Sequence, residues 1–169
     1  MIDCTFLTAG KAIFTVDNGK GEHYTYKVSQ SKDGRVYFVS MLTGPDNSSS
    51  YTYLGLLNLE NGRIRLTAKS GFGADSKPVK VVQWAVGMVW YSDEAELPPG
   101  YSIRHAGRCG RCGRLLTVPA SIKCGFGPVC AEELGVDFPD EVEVVEFIGQ
   151  PDGINDPKER EAKFVAQLV

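Results

Sequence analysis

The sequence predicts an α+β fold. An N-terminal antiparallel β-meander is packed with one helix, and a small cysteine-rich finger and a C-terminal strand and helix follow. Three observations carry this. Turn signals recur between β-prone runs in the first third. One long apolar stretch has helical spacing. Four of the five cysteines fall within the 22 residues 109–130.

Taken in order, KAIFTV and HYTYKV flank Asp17-Asn18-Gly19-Lys20-Gly21. YTYKVSQ and RVYFVSML flank Lys32-Asp33-Gly34, and YTYLGLLNL and RIRLT flank Glu60-Asn61-Gly62. Asp-Gly and Asn-Gly between aromatic and β-branched runs mark tight hairpins, because such turns need positive φ. Three in succession predict a meander of five or six strands. Tyr24, Tyr26, Tyr37, Tyr51 and Tyr53 lie on these strands. An aromatic sheet face can stack bases, but aromatics also favour strands for packing alone, and packing is the expectation. Gly44-Pro45-Asp46-Asn47-Ser48-Ser49-Ser50 is a solvated loop by composition.

Residues 76–91 are expected to be a helix. Ser76 suits the N-cap, Pro78 the first turn, and Val79, Val82, Val86 and Val89 one buried face. Pro98-Pro99-Gly100 marks the best boundary. The expected organisation is a β-rich domain over 1–97, a finger over 98–135 and an acidic strand–helix extension over 136–169. In that extension EVEVVEFIG alternates like a strand and KEREAKFVAQLV reads as a helix.

Composition removes several classes. At 43% hydrophobic and 23% charged residues, the chain is neither disordered, collagen-like nor coiled-coil. No apolar run reaches the ~20 residues of a membrane helix. The start, MIDCTFLTAGK, lacks the basic and apolar regions of a signal peptide, so the expected location is the cytosol. There is no G-x-S-x-G elbow, no phosphate loop and no deaminase pattern, and His23 has no nucleophile signature beside it. Gly71-Phe72-Gly73-Ala74-Asp75-Ser76-Lys77, running into the helix, reads as a simple loop. A non-enzymatic protein with no small-molecule substrate is expected.

Charge is unevenly spread. Residues 1–96 carry ten basic and ten acidic side chains. Residues 97–131 carry Arg104, Arg108, Arg111, Arg114 and Lys123 and no acid, and residues 132–169 carry three basic and eleven acidic groups. A segment at +5 suits a polyanion or an acidic partner, and it also suits arginines that offset metal-bound thiolates.

In the cytosol, clustered cysteines favour metal over disulfides. Cys109 and Cys112 form C-x2-C followed by glycine, a spacing that points both thiolates at one zinc ion. Cys130 follows Gly127-Pro128 and lies at the start of a helix, AEELG. A structural zinc ion takes four ligands. The fourth is Cys124, giving C-x2-C-x11-C-x5-C, or His105, giving H-x3-C-x2-C-x17-C. Leu115–Val118 and Ser121–Lys123 are read as a short hairpin, so that knuckle, hairpin and helix make a treble-clef-like zinc finger.

CGRCGRLLTVPASIKCGFGPVC resembles a zinc-binding family of uncharacterised function, common in phages, plasmids and actinobacteria. Its signature is approximately C-x-x-C-G-R-x-L-T-x-x-x-S-I-x-x-G-x-G-P-x-C. The matching residues are Cys109, Cys112, Gly113, Arg114, Leu116, Thr117, Ser121, Ile122, Gly125, Gly127, Pro128 and Cys130. The position of Cys124 is not reliably cysteine in that family. With the five-residue Cys124–Cys130 spacing, the resemblance implies His105 as fourth ligand and one structural zinc. Two functions then compete. One is nucleic-acid binding through Arg104, Arg108, Arg111, Arg114 and Lys123. The other is a phage-encoded protein–protein effector inhibiting a host defence complex from the host cytosol. In that reading acids such as Asp137, Asp140, Glu141, Glu143 and Glu146 imitate phosphates.

Overall fold

A computed structural model describes residues 2–91 and 97–139. The expected strand EVEVVEFIG and the final helix lie outside the described residues.

The hairpin signals produce the expected meander. Strands β1 (Lys11–Asp17), β2 (His23–Gln30), β3 (Tyr37–Leu42), β4 (Tyr51–Leu57) and β5 (Ile64–Arg65) pair antiparallel in sequence order. Each of the three predicted turns holds a positive-φ glycine. Only two residues of RIRLT pair, so β5 is shorter than expected. The Gly44–Ser50 loop satisfies itself. Hydroxyls of Ser48 and Ser49 donate to Asp46 and hold its carboxyl down at about 2.

A sixth strand, β6 (Ser102–His105), follows the Pro98-Pro99-Gly100 turn and pairs antiparallel with β1, giving the order β5-β4-β3-β2-β1-β6. Residues 102–105, expected at the entry to the finger, therefore belong to the sheet. No propensity signal marks them, because a short edge strand is set by its partner.

One sheet face is covered. Ala12, Phe14, Val16, Tyr26, Val28, Tyr37 and Val39 point inward and are buried. Helix α2 (Lys77–Tyr91) packs on this face through Val82, Ala85 and Val86, and the Tyr26 hydroxyl donates to the Pro78 carbonyl at 2.8 Å. The helix matches the expected span to within a residue. Ser76 does not cap it with its side chain, because its hydroxyl donates back to the Gly73 carbonyl.

Helix α1 (Cys4–Thr8) was not expected. Asp3 caps it by accepting from the Phe6 amide at 2.7 Å, and this directs Phe6 and Leu7 into the core. The same core includes Cys109, Leu116, Phe126 and Ala131 from the finger. Sheet and finger thus share one apolar interior. Among the described residues, no helix is long and apolar enough to cross a membrane.

Candidate metal centre

The finger is built around a tight knuckle. The Gly113 amide donates to the Cys109 carbonyl at 2.9 Å and the Cys109 amide to the Arg114 carbonyl at 2.8 Å. A backbone bond from the Lys11 amide to the Gly110 carbonyl fastens it to β1, and one from the Gly110 amide to the Gly125 carbonyl ties it to the rest of the finger. Phe6 wedges between these glycines. A Cβ at Gly110 or Gly125 would sit 2.8 or 2.9 Å from the Phe6 ring, so neither position has room for a side chain.

After the knuckle the chain departs from the expected hairpin. Leu115 makes a single bridge to Arg108, and Pro119–Cys124 forms helix α3, so Ser121, Ile122 and Lys123 are helical. Proline in the first turn starts it, and Gly125, at φ +82°, ends it in the left-handed region. These start and stop signals outweigh the β-branched residues around them. Helix α4 (Pro128–Leu134) then begins two residues before Cys130.

This path brings Cys109, Cys112 and Cys130 together, with their sulfur atoms within 4.8 Å of one another. The sulfurs of a zinc–thiolate tetrahedron lie about 3.8 Å apart, so the group fits a thiophilic ion closely. The environment of Cys109 favours thiolate. Burial pushes its thiol up, but the amides of Cys112, Gly127 and Arg111 donate to the sulfur and together bring it down to about 7. Cys130 is pushed up, first by burial and then by its two thiol neighbours. A cation at the centre would reverse that penalty. The thiols open onto a concavity of about 320 Å³, whose lining includes Ser121, Arg114 and Pro128.

Neither candidate for the fourth position joins the group. The His105 Nε2 lies 2.6 Å from the Ile122 carbonyl, and its Nδ1 accepts from the Gly107 amide at 3.1 Å. The ring also lies against Phe6, with centroids 5.6 Å apart. In this structure His105 ties β6 to α3. The Cys124 thiol is raised by burial and directed at the Phe126 carbonyl, 3.7 Å away.

The five basic residues divide in a way the sequence did not indicate. Arg108 donates to the Gly113 carbonyl, and Arg111 pairs with Glu133 on α4. Arg114 and Lys123 are exposed, and Arg104 lies on the solvent face of β6. These three make no side-chain hydrogen bond or ion pair among the described residues. Sequence reasoning passed over Lys11, whose ammonium reaches the Cys112 carbonyl at 3.4 Å. It is distant from the cysteines in sequence, so no motif marks it. Ser121, one of the signature residues, is buried.

Residues 102–135 match a family of unknown function, DUF6011. The match covers β6, the knuckle, α3 and α4 and leaves the meander outside it. No curated protein and no solved structure matches the chain.

Proposed function

We propose that the protein is a non-enzymatic, zinc-stabilised module that binds nucleic acid through the basic surface of its finger. Cys109, Cys112 and Cys130 would hold the ion, which supplies folding energy to a segment too small to stabilise itself. The reading is supported chiefly by the cations that lack internal partners. Arg114, which lines the concavity over the thiols, and Lys123 on α3 are exposed, whereas Arg108 and Arg111 are engaged within the finger. Arginine suits phosphate because its planar fork donates two parallel bonds.

The test is a salt titration of labelled duplex and single-stranded oligonucleotides. Arg114→Ala with Lys123→Ala should keep the zinc content and remove about two units from the duplex salt slope, near one unit per phosphate contact. Undetectable binding by the wild type at low salt would reject the reading.

A second reading is favoured by exposed apolar side chains at the same site. Leu115, Val118 and Val129 are 64%, 56% and 65% exposed and rim the concavity over the cysteines. Such a rim suits a protein partner, as an effector of a host defence complex would require. A single protein recovered from host lysate that survives nuclease and high salt would favour it.

A further inference from the structure

The uncovered face of the sheet has a composition that packing does not require. Its side chains form rows across the strands. One row runs Lys11, Ser29, Phe38, Leu56, Arg65, and the next runs Ile13, Lys27, Ser40, Tyr53. Arg104 stands opposite Thr15 at the β6 edge. The buried residues of α1 and α2 belong to the core on the other face.

Two features of this face point to a ligand. Its strands present the cations Lys11, Lys27, Arg65 and Arg104 and only one acid, Asp17. Asp17 sits at the end of β1, where its carboxylate accepts from the Gly19 amide. Among the cations lies an aromatic group. Phe38 is 39% exposed at the centre of the sheet and meets Tyr53 edge-on at 6.3 Å, and the Lys27 ammonium lies over the Tyr51 ring at 5.1 Å. A phenylalanine in mid-sheet, with Lys11 and Arg65 at the two ends of its row and Lys27 in the next row, provides a stacking surface among cations. Lys11 also reaches the knuckle carbonyl of Cys112, so the basic track continues into the finger.

We propose that this sheet face is a platform for single-stranded nucleic acid, with bases stacked on Phe38 and Tyr53 and phosphates held by Lys27, Arg65 and Arg104. The occupant is single-stranded because a duplex hides the base faces that stacking needs. Sequence preference is weak, since every base offers such a face. The proposal rests on the reading of the chain as nucleic-acid-binding and adds a surface the finger does not provide.

The test compares a labelled thymidine oligomer of about 15 nucleotides, near the upper site size of such platforms, with a duplex of the same length, using the zinc-loaded full chain. Phe38→Ala should weaken single-strand binding roughly 5- to 150-fold, the range for one lost stacked base, and leave duplex binding unchanged. Phe38→Trp should retain it. Lys27→Ala with Arg65→Ala should lower the single-strand salt slope by about 1.4 units. Photocrosslinking of an iodouracil-substituted oligomer to the wild type gives a readout independent of any variant's folding, with adducts expected in 37–42 or 51–57. Unchanged single-strand affinity in Phe38→Ala, or crosslinks confined to 108–130, would overturn the platform and leave the finger reading standing. Failure of the wild type to bind either oligomer would overturn both.

Discussion

Phe126→Ala is the perturbation that best separates a shared core from two independent units. Phe126 follows the left-handed Gly125, is fully buried, and meets the Phe6 ring with centroids 5.8 Å apart. Phe6 in turn is carried by α1, which packs on β1 and β2. Truncating a buried phenylalanine costs about 3–5 kcal/mol, against a whole-domain stability of about 5–15 kcal/mol. That loss should lower the thermal midpoint by roughly 6–20 °C. The assay follows one denaturation with two probes. Trp84 and Trp90 fluorescence reports α2 on the sheet, and thiol labelling of Cys109 reports the finger. In the shared core of Phe6, Phe14, Cys109 and Phe126, both probes should shift together. A finger signal that shifts while the tryptophan transition stays in place would refute the shared core.

Further outcomes follow from the same geometry. Cys109→Ser, Cys112→Ser and Cys130→Ser should each lose the metal, whereas Cys124→Ser and His105→Gln should keep one ion per chain by elemental analysis. Loss in either of the last two would identify that residue as the fourth ligand. Gly125→Ala should destabilise strongly, because φ is +82° and the new Cβ would lie 2.9 Å from Phe6, and a melting curve like the wild type's would contradict it. Arg111→Ala should leave the salt slope of duplex binding almost unchanged and cost about 0–1 kcal/mol, since it breaks only the partly exposed pair with Glu133. A slope reduced as much as by Arg114→Ala would show that Arg111 leaves Glu133 for phosphate.

The meander was legible because its three turns carry their own chemistry. Asn-Gly and Asp-Gly specify hairpins locally, and Val79, Val82 and Val86 mark the inward face of α2. The C-x2-C knuckle and Cys130 were legible from spacing, and the structure brings those three thiols together. What could not be read depends on tertiary partners. β6 exists because β1 offers it an edge, and α1 because Asp3 caps a turn whose Phe6 has a cavity to fill. The sequence treated Arg108, Arg111 and Arg114 as equivalent phosphate contacts. The fold separates them, directing Arg108 to the Gly113 carbonyl and Arg111 to Glu133. Which tyrosines face solvent was likewise fixed by pairing register. Tyr26 and Tyr37 point into the core, and Tyr51 and Tyr53 point away from it.

The most direct test of a metal-stapled module that binds nucleic acid is native mass spectrometry of freshly purified protein mixed with a short thymidine oligomer at low salt. The account predicts a species made of one chain, one zinc ion and one strand. A chain that carries no zinc, or a zinc-loaded chain that never retains a strand, would contradict it.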